Sequence, residues 1–340
     1  MSDRCPSCND YKANGEPFCG SCGRNLNDAE PDKAQLSILT FFLLLATVFV
    51  IFIAIFESIT LAVNASEVFG FLSDKFPIFV LVPSLQILFY VEGVELQIFW
   101  VLLTIIILSC VATAAIRFIE VARSPGGLTK PGAAENTAFF WVSVLLSAYL
   151  FITVVIVIAL EMAGNEITTP DFGTNIERMF ELANASVWEE IVTRLLLIGV
   201  PMMFISLVVA RKKESLKCLL GGFGMSTTAI VLILISGAVF GLAHYSGWDD
   251  QAWKVLTTAI MGVFLGYLFV RFGLYAAILM HFIMDYLQSF DWMGVGALGG
   301  IVSLLIFGIG LVSLIYIVQK LVQSKEAIES LPAFRNEHVK

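Results

Sequence analysis

Long uncharged apolar runs, separated by short polar or basic stretches, set the pattern of this chain. The first, Leu36–Phe56, holds 21 residues without a charge and is long enough to cross a bilayer as a helix. Others follow at Leu96–Ile116, Thr137–Leu160, Ile191–Ala210, Met225–His244, Val255–Val270, Gly273–Phe290 and Gly294–Val322. The pattern therefore predicts an all-α polytopic membrane protein with eight transmembrane helices. The run Ile78–Val91 is only 14 residues long and carries Pro83 in its middle, so a re-entrant or interfacial piece is expected there. Residues 172–186 read as a short amphipathic helix lying at the membrane surface.

Composition removes the soluble alternative. The 340 residues are 58% hydrophobic and 14% charged, against about 45–50% and about 25% in an ordinary soluble domain. The net charge of −8 argues against nucleic acid as a partner and leaves membrane lipid as the surroundings. Because 33 mostly polar residues precede the first apolar run, no cleavable signal is expected. Basic residues set the orientation. Sixteen of them fall in the head, in alternate loops (Arg117, Arg123, Lys130; Arg211, Lys212, Lys213, Lys217; Arg271) and after the last run. The opposite loops hold only Lys75, Arg178 and Lys254. A multi-pass protein of the cell membrane with both termini cytoplasmic is expected.

The head has its own chemistry. Four of the six cysteines, Cys5, Cys8, Cys19 and Cys22, form two CxxC pairs ten residues apart. Each CxxC turn points two thiolates at one centre, and two turns complete a tetrahedral zinc shell. So short a segment cannot bury a core, and the metal would supply its folding energy. The expected organisation is a zinc ribbon over 1–26, a linker over 27–35, a membrane domain over 36–322 and a polar tail over 323–340. The ribbon is expected to be a structural zinc site and a place for a protein partner to dock.

Ionisable groups within or at the ends of spans are a different matter, because each costs about 2.5–3.5 kcal/mol at mid-bilayer on the insertion scale. Six stand out: Glu189, Glu190, Arg194, His244, His281 and Asp285. Glu190 and Arg194 are i and i+4 and predict an ion pair, whereas Glu189 lies about 100° further round and cannot easily share that partner. His281 and Asp285 are again i and i+4, and Phe240 lies one turn before His244. With alternating spans, the glutamates, His244 and Asp285 all fall towards the outer face, at the depth a shared intramembrane pocket requires. The pairs Gly237/Gly241 and Gly262/Gly266 predict close helix approach.

Glu189-Glu190-x-x-x-Arg194, Phe240-x-x-x-His244 and His281-x-x-x-Asp285, in that order, resemble the CPBP family of intramembrane proteases, which includes the type II CAAX prenyl endopeptidases. The resemblance covers residues 137–322 and does not extend to the zinc head. It implies Glu189 as the residue activating water, His244 as its partner, and His281 with Asp285 as stabilisers of the tetrahedral intermediate, with Glu190, Arg194 and Phe240 supporting. The substrate would be a membrane-associated protein or peptide, prenylated or not. Prenyl proteases proper carry Asn where this chain has Asp285, so Asp285 must be protonated, orient His281 or bind a metal. The favoured chemistry is metal-independent, and the rival is a catalytic metal held by Glu189, His244, His281 and Asp285. Two other readings use the same cluster: a non-proteolytic scaffold or immunity protein, and a proton-coupled carrier.

Overall fold

The computed structural model describes residues 38–71, 75–81, 85–130, 132–168, 173–208, 215–247 and 252–329. The zinc ribbon and linker expected from the sequence lie outside the described residues. Among the described residues, eight helices carry the fold: α1 (Ile38–Phe71), α2 (Gly93–Arg123), α3 (Ala138–Met162), α4 (Asn175–Val208), α5 (Thr227–Gly247), α6 (Ala252–Phe272), α7 (Leu274–Asp285) and α8 (Gly296–Glu329).

Seven of these helices, all but α7, are long and apolar enough to cross a membrane. The eighth span expected over Gly273–Phe290 is instead the 12-residue α7, which reaches only about 18 Å. A turn, Tyr286–Gln288, and the one-turn helix Ser289–Trp292 continue it. Every residue from Ala276 to Ile283 is buried, so α7 is apolar all round because it is wrapped in protein. Gly273, with φ of 111°, separates α6 from α7, and its N–H bonds the Phe269 carbonyl at 2.9 Å.

Two further stretches take a definite form. The stretch around Ile78–Val91 is an antiparallel hairpin of β1 (Phe76–Leu81) and β2 (Leu85–Val91), with a bulge between Ile78 and Phe79. Branched and aromatic side chains favour strands, and the hairpin pairs its own backbone groups where a 14-residue helix would be too short to span. The amphipathic segment is the start of α4, which is continuous from Asn175 to Val208. Thr174 caps it in a reciprocal capping box with Glu177. Its apolar face packs on protein, with Phe180 edge-on to Phe76 at 4.8 Å and the Met179 carbonyl accepting from the Tyr286 hydroxyl.

The α5–α6 contact depends on glycine. A Cβ on Gly241 would stand 2.5 Å from the Val255 carbonyl oxygen, and one on Gly262 would stand 2.8 Å from the Gly237 Cα. These small residues bring the two backbones together as the sequence predicts. At the end of the bundle where α6 finishes, Arg271 stacks on Trp141 at 4.6 Å and donates to the Glu135 carbonyl at 2.9 Å. Lys320 of α8 pairs with the Glu135 carboxylate at 2.7 Å, so the clasp draws three basic-side segments together.

Candidate active site

The cluster forms where the middle of α4 meets the ends of α5 and α7, beside the start of α6. The α4 backbone is π-helical over Ala185–Glu189 and again over Ile191–Gly199. Such widening leaves backbone groups out of the regular ladder and is common at functional sites. Here side chains take up the freed carbonyls: Thr193 donates to the Glu189 carbonyl, and Ser236 of α5 donates to the Thr193 carbonyl at 2.7 Å.

Glu190 and Arg194 form the sealed half of the site, both side chains being 0% exposed. Arg194 Nε lies 3.1 Å from Glu190 Oε2, an ion pair without full hydrogen-bond alignment. Arg194 also donates to Ser236 at 2.8 Å and lies over the Phe240 ring at 4.8 Å. The other Glu190 oxygen accepts from His281 Nδ1 at 2.9 Å. Glu190 therefore joins the arginine of its own helix to the histidine of α7.

The open half is built around Glu189. Its side chain keeps 16% exposure, His244 keeps 18% and Asp285 keeps 19%, so these groups are reachable from outside the protein. Glu189 Oε2 faces His244 Nε2 at 3.8 Å and His281 Nε2 at 4.0 Å, and it has no hydrogen-bond partner among the described residues. His244 Nδ1 bonds the Phe240 carbonyl at 2.8 Å. A carbonyl only accepts, so Nδ1 carries the proton and the neutral ring presents a lone pair at Nε2. Two acceptors, one on Glu189 and one on His244, thus face each other.

Asp285 Oδ2 lies 3.3 Å from His281 Nε2 and accepts from Ser186 at 3.3 Å. His281 is held between two carboxyls, one at each ring nitrogen. The Phe240 ring meets His244 edge-on at 4.6 Å and His281 at 5.9 Å, forming an apolar wall behind both. Lys254, at the start of α6, is electrostatically coupled to Glu189, His244 and Asp285.

All seven membrane-site residues singled out from the sequence converge here: Glu189, Glu190, Arg194, Phe240, His244, His281 and Asp285. The four head cysteines, Cys5, Cys8, Cys19 and Cys22, lie outside the described residues. Sequence reasoning missed the Glu190–His281 link, which joins two helices with no shared motif, and it missed Ser186, Ser236 and Lys254. Ser186 had a legible signal, one turn before the glutamates. Among the described residues, no three or more His, Cys, Asp and Glu side chains have the arrangement of a metal site. A cavity of about 390 Å³ lined by Met202, Ser206, Lys217 and Cys218 lies at the other end of α4, away from this chemistry.

No curated protein and no solved structure matches the chain. Residues 177–287, which carry every group of the site, match the family model described as type II CAAX prenyl endopeptidase Rce1-like.

Proposed function

We propose that the protein is an intramembrane endopeptidase that hydrolyses a peptide bond of a membrane-associated protein or peptide with water activated by Glu189. The observation that carries this reading is the Glu189 oxygen, unpartnered and facing two imidazole nitrogens. A water donating one proton to Glu189 Oε2 and the other to His244 Nε2 satisfies both acceptors and turns its lone pair towards substrate. Glu189 takes the proton as the water attacks and returns it to the leaving amine. His281 Nε2 borders the same space, 4.0 Å from Glu189 Oε2, and would turn its proton from Asp285 to the oxyanion as that charge develops, while Glu190 fixes the ring through Nδ1. One such donor is worth about 10²–10³ in rate. Asp285 orients His281 from the other side.

The decisive assay reconstitutes the full chain in liposomes with membrane-anchored peptides, with and without a prenyl group, and reads products by mass spectrometry. Cleavage at one bond near the membrane surface supports the reading. Intact peptide together with proton-coupled uptake would favour the carrier. The preferred side is the one facing away from the cytoplasm, because the basic cluster Arg211, Lys212, Lys213 and Lys217 between α4 and α5 argues for a cytoplasmic loop there. A membrane-impermeant thiol reagent on intact cells then labels Tyr245→Cys and not Lys217→Cys, and the opposite labelling inverts the orientation.

A further inference from the structure

The cavity of about 390 Å³ at the far end of α4 takes no part in the mechanism above. One wall is α4 itself, through Met202 and Ser206. The other is the chain leading into α5: the short helical turn Ser215–Leu220, which brings Lys217, and the glycine-rich stretch up to Ser226. That stretch is tied to α6 by its backbone. Gly222 and Gly224, both at positive φ, donate to the Phe269 and Val270 carbonyls at 2.9 and 3.0 Å. A Cβ on Gly221 would collide with the Phe269 carbonyl oxygen, so glycine is what lets the loop lie this close. On the α4 side, a Cβ on Gly199 would stand 2.9 Å from the Leu219 carbonyl oxygen. The cavity is therefore a preformed part of the fold, and its size falls in the range of small-ligand sites, about 300–1,000 Å³.

Its chemistry is divided. Around it Val208, Leu216, Leu220 and Met225 are between 48% and 70% exposed, an apolar surface suited to acyl chains. Within it the polar groups are donors. Ser226 Oγ accepts the Ala229 N–H at 3.1 Å and caps α5, which leaves the hydroxyl proton for a ligand. The same cap sets the positive end of a 21-residue helix at the cavity wall. Lys217 adds a full positive charge. In the sequence Arg211, Lys212 and Lys213 precede it with Glu214 as the one acid, so this loop is basic within a chain of net charge −8. It also belongs to the end of the bundle that the basic residues assign to the cytoplasm.

We propose that the cavity binds the phosphate headgroup of an anionic phospholipid of the cytoplasmic leaflet. Lys217, the Ser226 hydroxyl and the start of α5 meet the phosphate, and the acyl chains run over Leu216 and Leu220. Basic pockets between helices on the cytoplasmic side suit such headgroups. A free phosphate ion would satisfy the donors and leave the apolar surround without a role, whereas a lipid uses both. The site lies at the opposite end of α4 from Glu189, and its existence does not depend on the peptidase reading.

The test is native mass spectrometry of the full-length protein in neutral detergent, titrated with dioleoyl phosphatidylglycerol and with dioleoyl phosphatidylcholine. Phosphatidylglycerol should bind at least about fivefold tighter, the discrimination that one basic contact supplies. Lys217→Gln should bring the two lipids within about twofold of each other and leave phosphatidylcholine binding unchanged. Ser206→Phe, which fills the cavity from the α4 wall, should remove the tight site. No preference between the lipids, or a preference unchanged in Lys217→Gln, overturns the proposal, and so does tight binding retained by a folded Ser206→Phe. Inorganic phosphate in excess should leave the lipid bound, and displacement by it would make the ligand a free anion and overturn the lipid assignment. Should Ser206→Phe fail to fold, Lys217→Gln decides alone, since that side chain is exposed.

Discussion

Glu190→Gln should be among the most destabilising single substitutions in the membrane domain, although it keeps the side chain's shape. Glu190 and Arg194 are both fully buried, so the change leaves a cation without its counter-charge. Breaking a buried pair on one side costs about 3–5 kcal/mol. The hydrogen bond from His281 loses its charged acceptor, which adds about 1 kcal/mol. Arg194 keeps Ser236 and the Phe240 ring, but those contacts exist already and supply no negative charge. A loss of about 4–6 kcal/mol follows, read by reversible unfolding in mixed micelles with far-ultraviolet circular dichroism. The double variant Glu190→Gln/Arg194→Met should recover at least half of that, because removing both charges removes the desolvation problem. A single-variant loss under about 1 kcal/mol, or a double variant worse than both singles combined, would refute the reasoning.

Three further outcomes are expected. Gly241→Leu should separate α5 from α6 and lower Tm sharply, since even a Cβ at 241 meets the Val255 carbonyl at 2.5 Å, whereas Gly300→Leu, with nothing within 4 Å of its Cβ, should be tolerated. Burial pushes the Glu135 carboxyl up, but hydrogen bonds from Lys320 and Tyr316 and the charges of Lys320 and Arg271 hold it below its ordinary value of 4.5. A depressed carboxyl stabilises the fold above its unfolded value and loses that contribution as pH falls through the folded one. Lys320→Met should therefore lower Tm at neutral pH and have little effect at about pH 3, and an equal Tm loss at both would refute the pair. Cys8→Ser should release one zinc per chain by metal analysis while the Tm of the membrane domain is unchanged, and an equal loss of Tm would show the head is not separable.

The site was legible in the sequence to the extent that it obeys helical arithmetic. Glu190 to Arg194, Phe240 to His244 and His281 to Asp285 are all one turn apart, and each pair meets. The contact that joins them, Glu190 to His281, spans 91 residues and has no spacing signature. The uncharged run ends at Phe56, whereas α1 continues to Phe71 and buries the acid that ends the run, Glu57. The apolar run at Gly273–Phe290 satisfied a hydropathy threshold that cannot tell lipid from protein as surroundings, and α7 is apolar because protein encloses it. The segment from Asn175 to Asn184 is amphipathic as the sequence predicts, and Phe180 on its apolar face meets Phe76.

The central claim is that Glu189 does the chemistry and Glu190 holds the site together. Turnover of a membrane-anchored peptide by Glu189→Gln, measured beside wild type on equal amounts of folded protein in liposomes, tests it most directly. The account predicts a fall in kcat of about 10²–10⁴ with unchanged Tm, because Gln fills the same space without accepting a proton. Turnover by Glu189→Gln within a few-fold of wild type would contradict it.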